Sequence, residues 1–293
     1  MKKIISIVAI VLLFSISFTT YATPLKLDKK IYGPMCEATV SDAEFSQRML
    51  KQNDNCIFGI YKDTLPIYSV DVKDNKKKYI SLTFDSSWND RYTIPLLDIL
   101  DEYDAKATFF LTSFYIWANQ DSVKEMLRRG HEIGNHSNWH VKFSDHKEKR
   151  IIDEIEKCHS AIKEVAGVDA CLFRFPYGNY NDLSMRLLKE RGYYPVQWTH
   201  DSLDWKNESA EAIIRKLGKE DSYQAGNIIL FHNGADYTVE SLKTILKIIK
   251  QKGLRCVRVS DLIYEKDFYV DGKGRQKEKL AESNDVSTPS NIN

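Results

Sequence analysis

Charge of one sign is what this sequence lacks most plainly: 42 basic residues stand against 41 acidic ones, a formal net charge of +1 over 293 residues. Nothing in that balance draws a polyanion, so nucleic acid is not expected as a partner. Cysteine is scarce too. Cys36, Cys56, Cys158, Cys171 and Cys256 are too few and too scattered for a disulfide scaffold, and no C-x-x-C pair suggests a zinc knuckle. Cys36 and Cys56 flank a short segment and could pair, but the odd total leaves at least one thiol free. Cys256 opens an apolar stretch and reads as a small core residue. There is no internal repeat.

Only one long apolar run is present, Ile4 to Phe18, preceded by Lys2 and Lys3 and followed by Thr20-Tyr21-Ala22. A charged start, a short apolar middle and small residues at the end form a secretory pattern, with an uncleaved N-terminal anchor as the alternative. Either way the remainder is expected outside the cytoplasm. A membrane contact is expected only through such an anchor, and the protein is expected to be a monomer.

With 43% hydrophobic and 12% aromatic residues, the rest has the composition of a globular protein with a sizeable core. Residues 23–70 read as a polar N-terminal extension and residues 71–265 as the main domain. The tail from Lys266 carries charges and then Ser, Asn and Pro, and is expected to be disordered. Within the domain, apolar strands are predicted at Tyr79–Asp85, Ala107–Thr112, Glu132–His136, Cys171–Phe175, Tyr194–Asp201, Asn227–His232 and Cys256–Val259. Helical periods separate them. The clearest runs from Thr238 to Lys252, where Leu242, Ile245, Leu246 and Ile249 share a face, with Thr238 as N-cap and Gly253 as stop. Such alternation implies parallel strands joined by crossovers. Seven strands suggest a (β/α)7-type barrel, although an open doubly wound sheet has the same local pattern.

Barrels of this kind carry their chemistry at the C-terminal ends of the strands, and polar residues bunch there. Asp85 and Ser86 end the first strand, and His136 to His140 follow the third. Arg174 to Tyr177 end the fourth, Asp201 to Trp205 the fifth, and Leu230 to His232 the sixth. His136 and His140 are four apart, so on a helical turn both imidazoles face one way and can close on one metal; as a pair they could equally be surface histidines. Asp85 could be a general base or simply cap the next helix. Arg174 could hold that carboxylate ionised, or make a surface ion pair. His232 could be a general acid kept protonated by Asp201, or a satisfied core histidine. Trp205 and Leu230 would suit a pocket for a methyl group, or belong to the core.

In order and spacing, five segments resemble the polysaccharide deacetylase family, also called the NodB homology domain or carbohydrate esterase family 4. They are Thr83-Phe84-Asp85, His136-x-x-x-His140, Arg174-x-Pro176-Tyr177, Asp201-x-x-Asp204-Trp205 and Leu230-x-His232. The likeness covers about residues 66–264, and the sporulation-associated, peptidoglycan-directed branch is the most similar. The resemblance implies a distorted (β/α)7-type barrel that removes acetyl groups from N-acetylglucosamine or N-acetylmuramic acid in a cell-wall glycan. It implies Asp85 as base, His232 as acid tuned by Asp201, and Arg174 orienting Asp85. Pro176 and the Tyr177 backbone would meet the substrate, Trp205 and Leu230 would hold the acetyl methyl, and His136 and His140 would bind a divalent metal, zinc, cobalt or another transition ion.

Two positions depart from that pattern. The family has a second Asp after the base, completing the metal site, where this chain has Ser86; Asp90 in the next turn is the substitute ligand to consider. Phe175 stands where the family generally has Pro. A hydroxyl is a weaker ligand than a carboxylate, so a glycan-binding protein without turnover is the main competing expectation. A hydrolase of a non-carbohydrate amide is the second.

Overall fold

A computed structural model describes residues 65–73, 78–218 and 222–279. The expected leader, most of the N-terminal extension, and Cys36 and Cys56 lie outside the described residues.

The centre of the molecule is the strand β2 (Tyr79–Ser86), in which every residue after the first is buried. It is flanked by parallel neighbours on both sides, β3 (Ala107–Leu111) and β8 (Ile228–His232), and near its start by β9 (Arg255–Cys256). Along it Ile80, Leu82 and Phe84 enter the apolar core on one face, while Ser81, Thr83 and Asp85, also buried, turn hydrogen-bonded polar groups to the other. From β3 the sheet continues through β4 (Glu132–Asn135), β5 (Leu172–Phe173) and β6 (Tyr194–Pro195). From β8 it continues to β7 (His200–Asp201).

The two outer strands decide between barrel and open sheet. β6 and β7 lie at opposite ends of the strand order, yet four residues separate them in sequence, so the sheet curls until its edges nearly meet. The predicted single strand Tyr194–Asp201 is therefore two short strands with a seam between them, because its first half pairs with β5 and its second with β8. A segment from the N-terminal extension fills the seam: the Val196 region bridges Ile67, the Gln197 N–H donates to the Ile67 carbonyl at 2.8 Å, and the Thr199 hydroxyl to the Tyr68 carbonyl at 2.8 Å. The result is the expected distorted (β/α)7-type barrel.

Helices pack outside it. They are α1 (Thr93–Glu102), α2 (Ser113–Ala118), α3 (Gln120–Arg128), α4 (Glu148–Ala166), α5 (Asp182–Glu190), α6 (Ala210–Leu217), α7 (Thr238–Gln251) and the short α8 (Val259–Leu262). In α4 the residues Ile151, Ile155, Cys158, Ile162 and Val165 recur on one face and join the core. Gly167 ends that helix in the left-handed conformation. Thr238 turns out to be the first residue of α7 and not its cap, since its hydroxyl is taken by Asp204 at 2.6 Å.

The region after Lys266 corrects another expectation. Phe268–Val270 (β10) and Arg275–Glu278 (β11) form an antiparallel pair, and β11 adds in parallel to β1 (Ser69–Val70). Gln276 is wholly buried, and its amide exchanges two hydrogen bonds with the backbone of Tyr264, at 2.8 Å each. Charged composition had concealed a strand held by its one buried polar residue. Gly226 makes room for β1: it has φ +87°, its carbonyl accepts from the Val70 N–H at 2.9 Å, and a Cβ there would stand 1.9 Å from the Val70 carbonyl oxygen. Gly226→Ala is expected to cost at least the ~1–3 kcal/mol of a left-handed non-glycine residue, with added loss from displacing β1. Urea unfolding checks it; an unchanged midpoint would show that β1 does not seat on this turn.

Candidate active site

Strand register alone collects the predicted residues at one end of the barrel. Asp85 pairs across with His232 on one side and Phe110 on the other, and Leu111 pairs with Asn135, the residue before His136. Asn135 pairs with Phe173, the residue before Arg174, and Asp201 with Leu230. All the C-terminal strand ends therefore share one rim.

Arg174 crosses the interior beneath this rim and is completely buried. Its Nη1 donates to Asp85 Oδ1 at 2.9 Å and to the Thr83 hydroxyl at 2.8 Å; Nη2 donates to the Gln197 carbonyl at 2.9 Å and Nε to that of Val196 at 3.3 Å. The guanidinium lies over the Phe110 ring, 4.2 Å from its centre. One side chain thus ties β5 to β2 and to the seam. For Asp85, burial opposes ionisation, but the neighbouring His136, Arg174 and His232 outweigh it and hold the carboxyl below its ordinary range. Arg174 carries the fixed charge among those three.

His136 is buried, and its Nδ1 lies 2.8 Å from the Arg174 carbonyl. A carbonyl only accepts, so Nδ1 bears the proton and Nε2 keeps its lone pair, 3.4 Å from Asp85 Oδ2 and without a hydrogen bond. Burial, opposed by the charge of Asp85, lowers the pKa of this imidazole. The His140 ring centre is 4.9 Å away, and burial, followed by the neighbouring His136, lowers its pKa to about 3. The two imidazoles do meet, but not on the helical turn that their spacing suggested. Residues 136–140 form a loop in which Ser137 (φ 73°) and His140 (φ 56°) both adopt left-handed backbone. Such residues persist only where the surroundings over-determine them. Here the Ser137 N–H donates to Asn135 Oδ1 (2.9 Å), the His140 N–H to the Ser137 hydroxyl (3.0 Å) and the Trp139 N–H to Glu154 Oε2 (2.7 Å). Sequence reading missed these supports. Glu154 left a signal, a carboxylate on the buried face of α4.

His232 is about a third exposed and its Nδ1 sits 2.7 Å from Asp204 Oδ1. Asp204, not Asp201, is therefore its hydrogen-bonded partner. The Asp204 carboxylate also accepts from the His232 N–H (2.7 Å) and the Thr238 hydroxyl, so it is fixed on three sides. Asp201 spends Oδ1 on the Leu203 N–H at 2.8 Å, and burial raises its pKa. Burial alone would lower the His232 pKa, but the bond to Asp204 and the charges of Asp204, Asp85 and Asp201 raise it overall. The signal for Asp204 was present: it stands three residues after Asp201 in the same quoted segment.

Of the remaining predicted residues, Leu230 is buried two residues before His232 on the same strand face. Tyr177 follows Pro176 in left-handed backbone (φ 59°), its exposed ring 4.5 Å from that of His140. Trp205 is exposed on the loop that carries Asp204. Asp90 does not approach the imidazoles. Its two carboxylate oxygens are occupied by the hydroxyls of Tyr115 and Ser122, and Tyr115 is in turn bonded to Thr93 and Asn233.

The fit of a divalent metal rests on buried polar atoms. His136 Nε2 and the Ser86 hydroxyl are both buried without a hydrogen bond, and both imidazoles are held neutral, the form that binds metal. Among the described residues no group of three His, Cys, Asp or Glu side chains could hold a metal ion. Two neighbouring imidazoles could thus contribute to holding an ion, and Ser86 occupies, in sequence, the position at which the family has a carboxylate ligand.

The polysaccharide deacetylase family model matches residues 72–196. A peptidoglycan-N-acetylglucosamine deacetylase of Bacillus cereus is 36% identical over 194 residues, which are 64% of this chain and 90% of that protein. This chain belongs to the polysaccharide deacetylase family. A second relative, the peptidoglycan-N-acetylmuramic acid deacetylase PdaA of Bacillus subtilis, is 29% identical over 67% of this chain and 75% of its own. Among solved deacetylase-family structures, a mutant of a Bacillus anthracis CE4 pseudoenzyme with restored activity superposes with a TM-score of 0.63 at 27% identity, covering 69% of this chain and 72% of that one. The family thus includes members that have the fold without the activity.

Replacing Arg174 leaves the Asp85 charge buried and unpaired. Arg174→Met is expected to lower stability by about 3–5 kcal/mol, read from denaturant unfolding, and Asp85→Asn in the same background should recover part of that loss. Strictly additive losses in the double variant would show that the pair is not coupled.

Proposed function

We propose that the protein hydrolyses the N-acetyl amide of N-acetylglucosamine or N-acetylmuramic acid residues in peptidoglycan or a related cell-wall glycan, outside the cytoplasm. The observation that supports this most is the opposition of an ionised Asp85 and a proton-bearing His232 in register on neighbouring strands. Two titratable groups whose surroundings push their pKa values in opposite directions are what a base and an acid require.

His136 and His140 would hold the divalent metal, which when bound supplies Lewis-acid polarisation of the acetamide carbonyl. The chain's own groups account for the proton movements. Asp85 Oδ1 is engaged by Arg174, so Oδ2 takes the proton of the attacking water. The Tyr177 backbone N–H donates to the developing oxyanion. His232 holds its Nδ1 proton against Asp204, which aims the Nε2 proton at the departing sugar nitrogen. The C–N bond breaks, acetate keeps the oxygen of the water, and the sugar leaves as an amine. Leu230 and Trp205 would enclose the acetyl methyl.

A second reading, glycan binding without turnover, is supported by Ser86 and by the likeness to a pseudoenzyme. Acetate assays on peptidoglycan and on chitin oligomers, with and without added Zn²⁺ or Co²⁺, separate the two. Metal-dependent release is expected, falling at least ~100-fold in Asp85→Asn and in His140→Ala. Ser86→Asp is expected to tighten zinc binding at least ~10-fold in calorimetry, since a carboxylate replaces a neutral ligand. No release from any glycan, in the presence of metal and in Ser86→Asp, would overturn the hydrolase reading.

A further inference from the structure

Behind the loop that carries His136 and His140, a line of hydrogen bonds runs out toward the surface through residues that no step of the proposed reaction uses. It starts at Asn135, which is wholly buried. Its Oδ1 accepts from the Ser137 N–H at 2.9 Å, and its Nδ2 donates to the Ile155 carbonyl at 2.9 Å and to the Tyr193 hydroxyl at 3.0 Å. The Tyr193 hydroxyl lies 2.7 Å from His159 Nδ1, and His159 Nε2 lies 3.4 Å from Asp169 Oδ1, which also accepts from Lys163 Nζ at 2.8 Å. Tyr193 is buried with its ring edge-on to that of Phe173, and the His159 side chain is about one third exposed. Ile155 and His159 stand one turn apart on α4, so that helix meets the line at two points.

The first member of this line fixes the direction of the rest. A carbonyl only accepts, so the amide nitrogen of Asn135 must face Ile155 and its oxygen is left for Ser137. Reversing the amide would set two acceptors against each other at Ile155 and two donors at Ser137. The second proton on that nitrogen goes to the Tyr193 oxygen. The Tyr193 hydroxyl then spends its own proton on His159 Nδ1, which makes Nδ1 the bare nitrogen and leaves the ring proton on Nε2, on the side of Asp169. Burial raises the Tyr193 pKa well above its ordinary value, so the hydroxyl keeps the proton it donates.

We infer that Tyr193, with His159 behind it, is a positioning residue for the loop that bears the two imidazoles, a role that rests on the metal site proposed for them. The Tyr193 hydroxyl holds the Asn135 amide in its one productive orientation, and that amide holds the Ser137 N–H. Ser137 is left-handed, and its own hydroxyl accepts the N–H of His140, which is left-handed as well. Such backbone persists only while its neighbours enforce it, so the seat of the His140 ring beside His136 depends on a hydroxyl two bonds away. Without that hydroxyl, a buried N–H of Asn135 has no acceptor, and the amide gains by turning away from Ser137 to find one. Neither Tyr193 nor His159 belongs to the five segments that carry the family resemblance.

The test uses the full chain with Zn²⁺ alone as the probe, reading binding by calorimetry and, in the metal-free protein, hydrogen exchange at the Ser137 amide. Tyr193→Phe keeps the ring and deletes only the hydroxyl. It should weaken zinc binding at least ~10-fold and speed exchange at Ser137 at least ~10-fold. Exchange at Leu82 in β2 should stay as in the parent, which separates a loosened loop from a destabilised fold. His159→Leu should change both quantities in the same direction and by less. His159→Asn, whose amide oxygen can stand where Nδ1 stands, should bring both back to the parent values. Zinc affinity and Ser137 exchange unchanged in Tyr193→Phe, equal acceleration at Ser137 and Leu82, or a His159→Asn variant no closer to the parent than His159→Leu would overturn the positioning role, as would a parent chain that binds no zinc. The expected changes in a chain that releases no acetate from any glycan would overturn the hydrolase reading and leave the positioning role standing.

Discussion

The buried contact between Arg174 and Asp85 organises this molecule. A guanidinium without solvent access must have each donor satisfied nearby, and the partners it finds belong to separate parts of the barrel: Asp85 and Thr83 on β2, and the carbonyls of Val196 and Gln197 at the seam. The same cation that lets the sheet edges come together keeps a carboxylate ionised where water would otherwise be needed to stabilise it. Its own carbonyl orients His136, so one residue's main chain and side chain serve both halves of the site.

Several of the fold's less favourable features lie close to that contact. The loop bearing His136 and His140 contains two left-handed non-glycine residues, held by Asn135, Ser137 and Glu154. His136 Nε2 and the Ser86 hydroxyl are among the buried polar atoms of the described residues that make no hydrogen bond. A structure selected for stability alone would satisfy or remove them. Ser86 is also one of the two positions at which this chain departs from the family pattern.

Much of this arrangement was legible in the sequence because parallel strands joined by helices bring their C-terminal ends to one rim. Asp85, Arg174, His136, His140 and His232 could be placed together from that rule and from the resemblance of their segments. What stayed hidden depends on contacts remote in sequence. The barrel's closure rests on residues 194–201 serving both sheet edges, which no local period reveals. The exchange of Asp201 for Asp204 as the partner of His232 is a matter of loop geometry, since the Asp201 carboxylate turns back to the Leu203 N–H. Composition hid the β10–β11 pair, in which Arg275 and Glu278 lie outward while Val270 and Gln276 go in.

Carbon-13 NMR titration of the Asp85 carboxyl, in the parent chain and in Arg174→Met, examines this organisation at its source. A carboxyl held down by a fixed cation should remain ionised through the ordinary aspartate range near ~3.9, and lose its charge only at lower pH. Removing Arg174 should move its titration upward, because burial then acts without the opposing charge. An Asp85 that titrates at or above the ordinary value in the parent chain, or is indifferent to Arg174, would contradict the account.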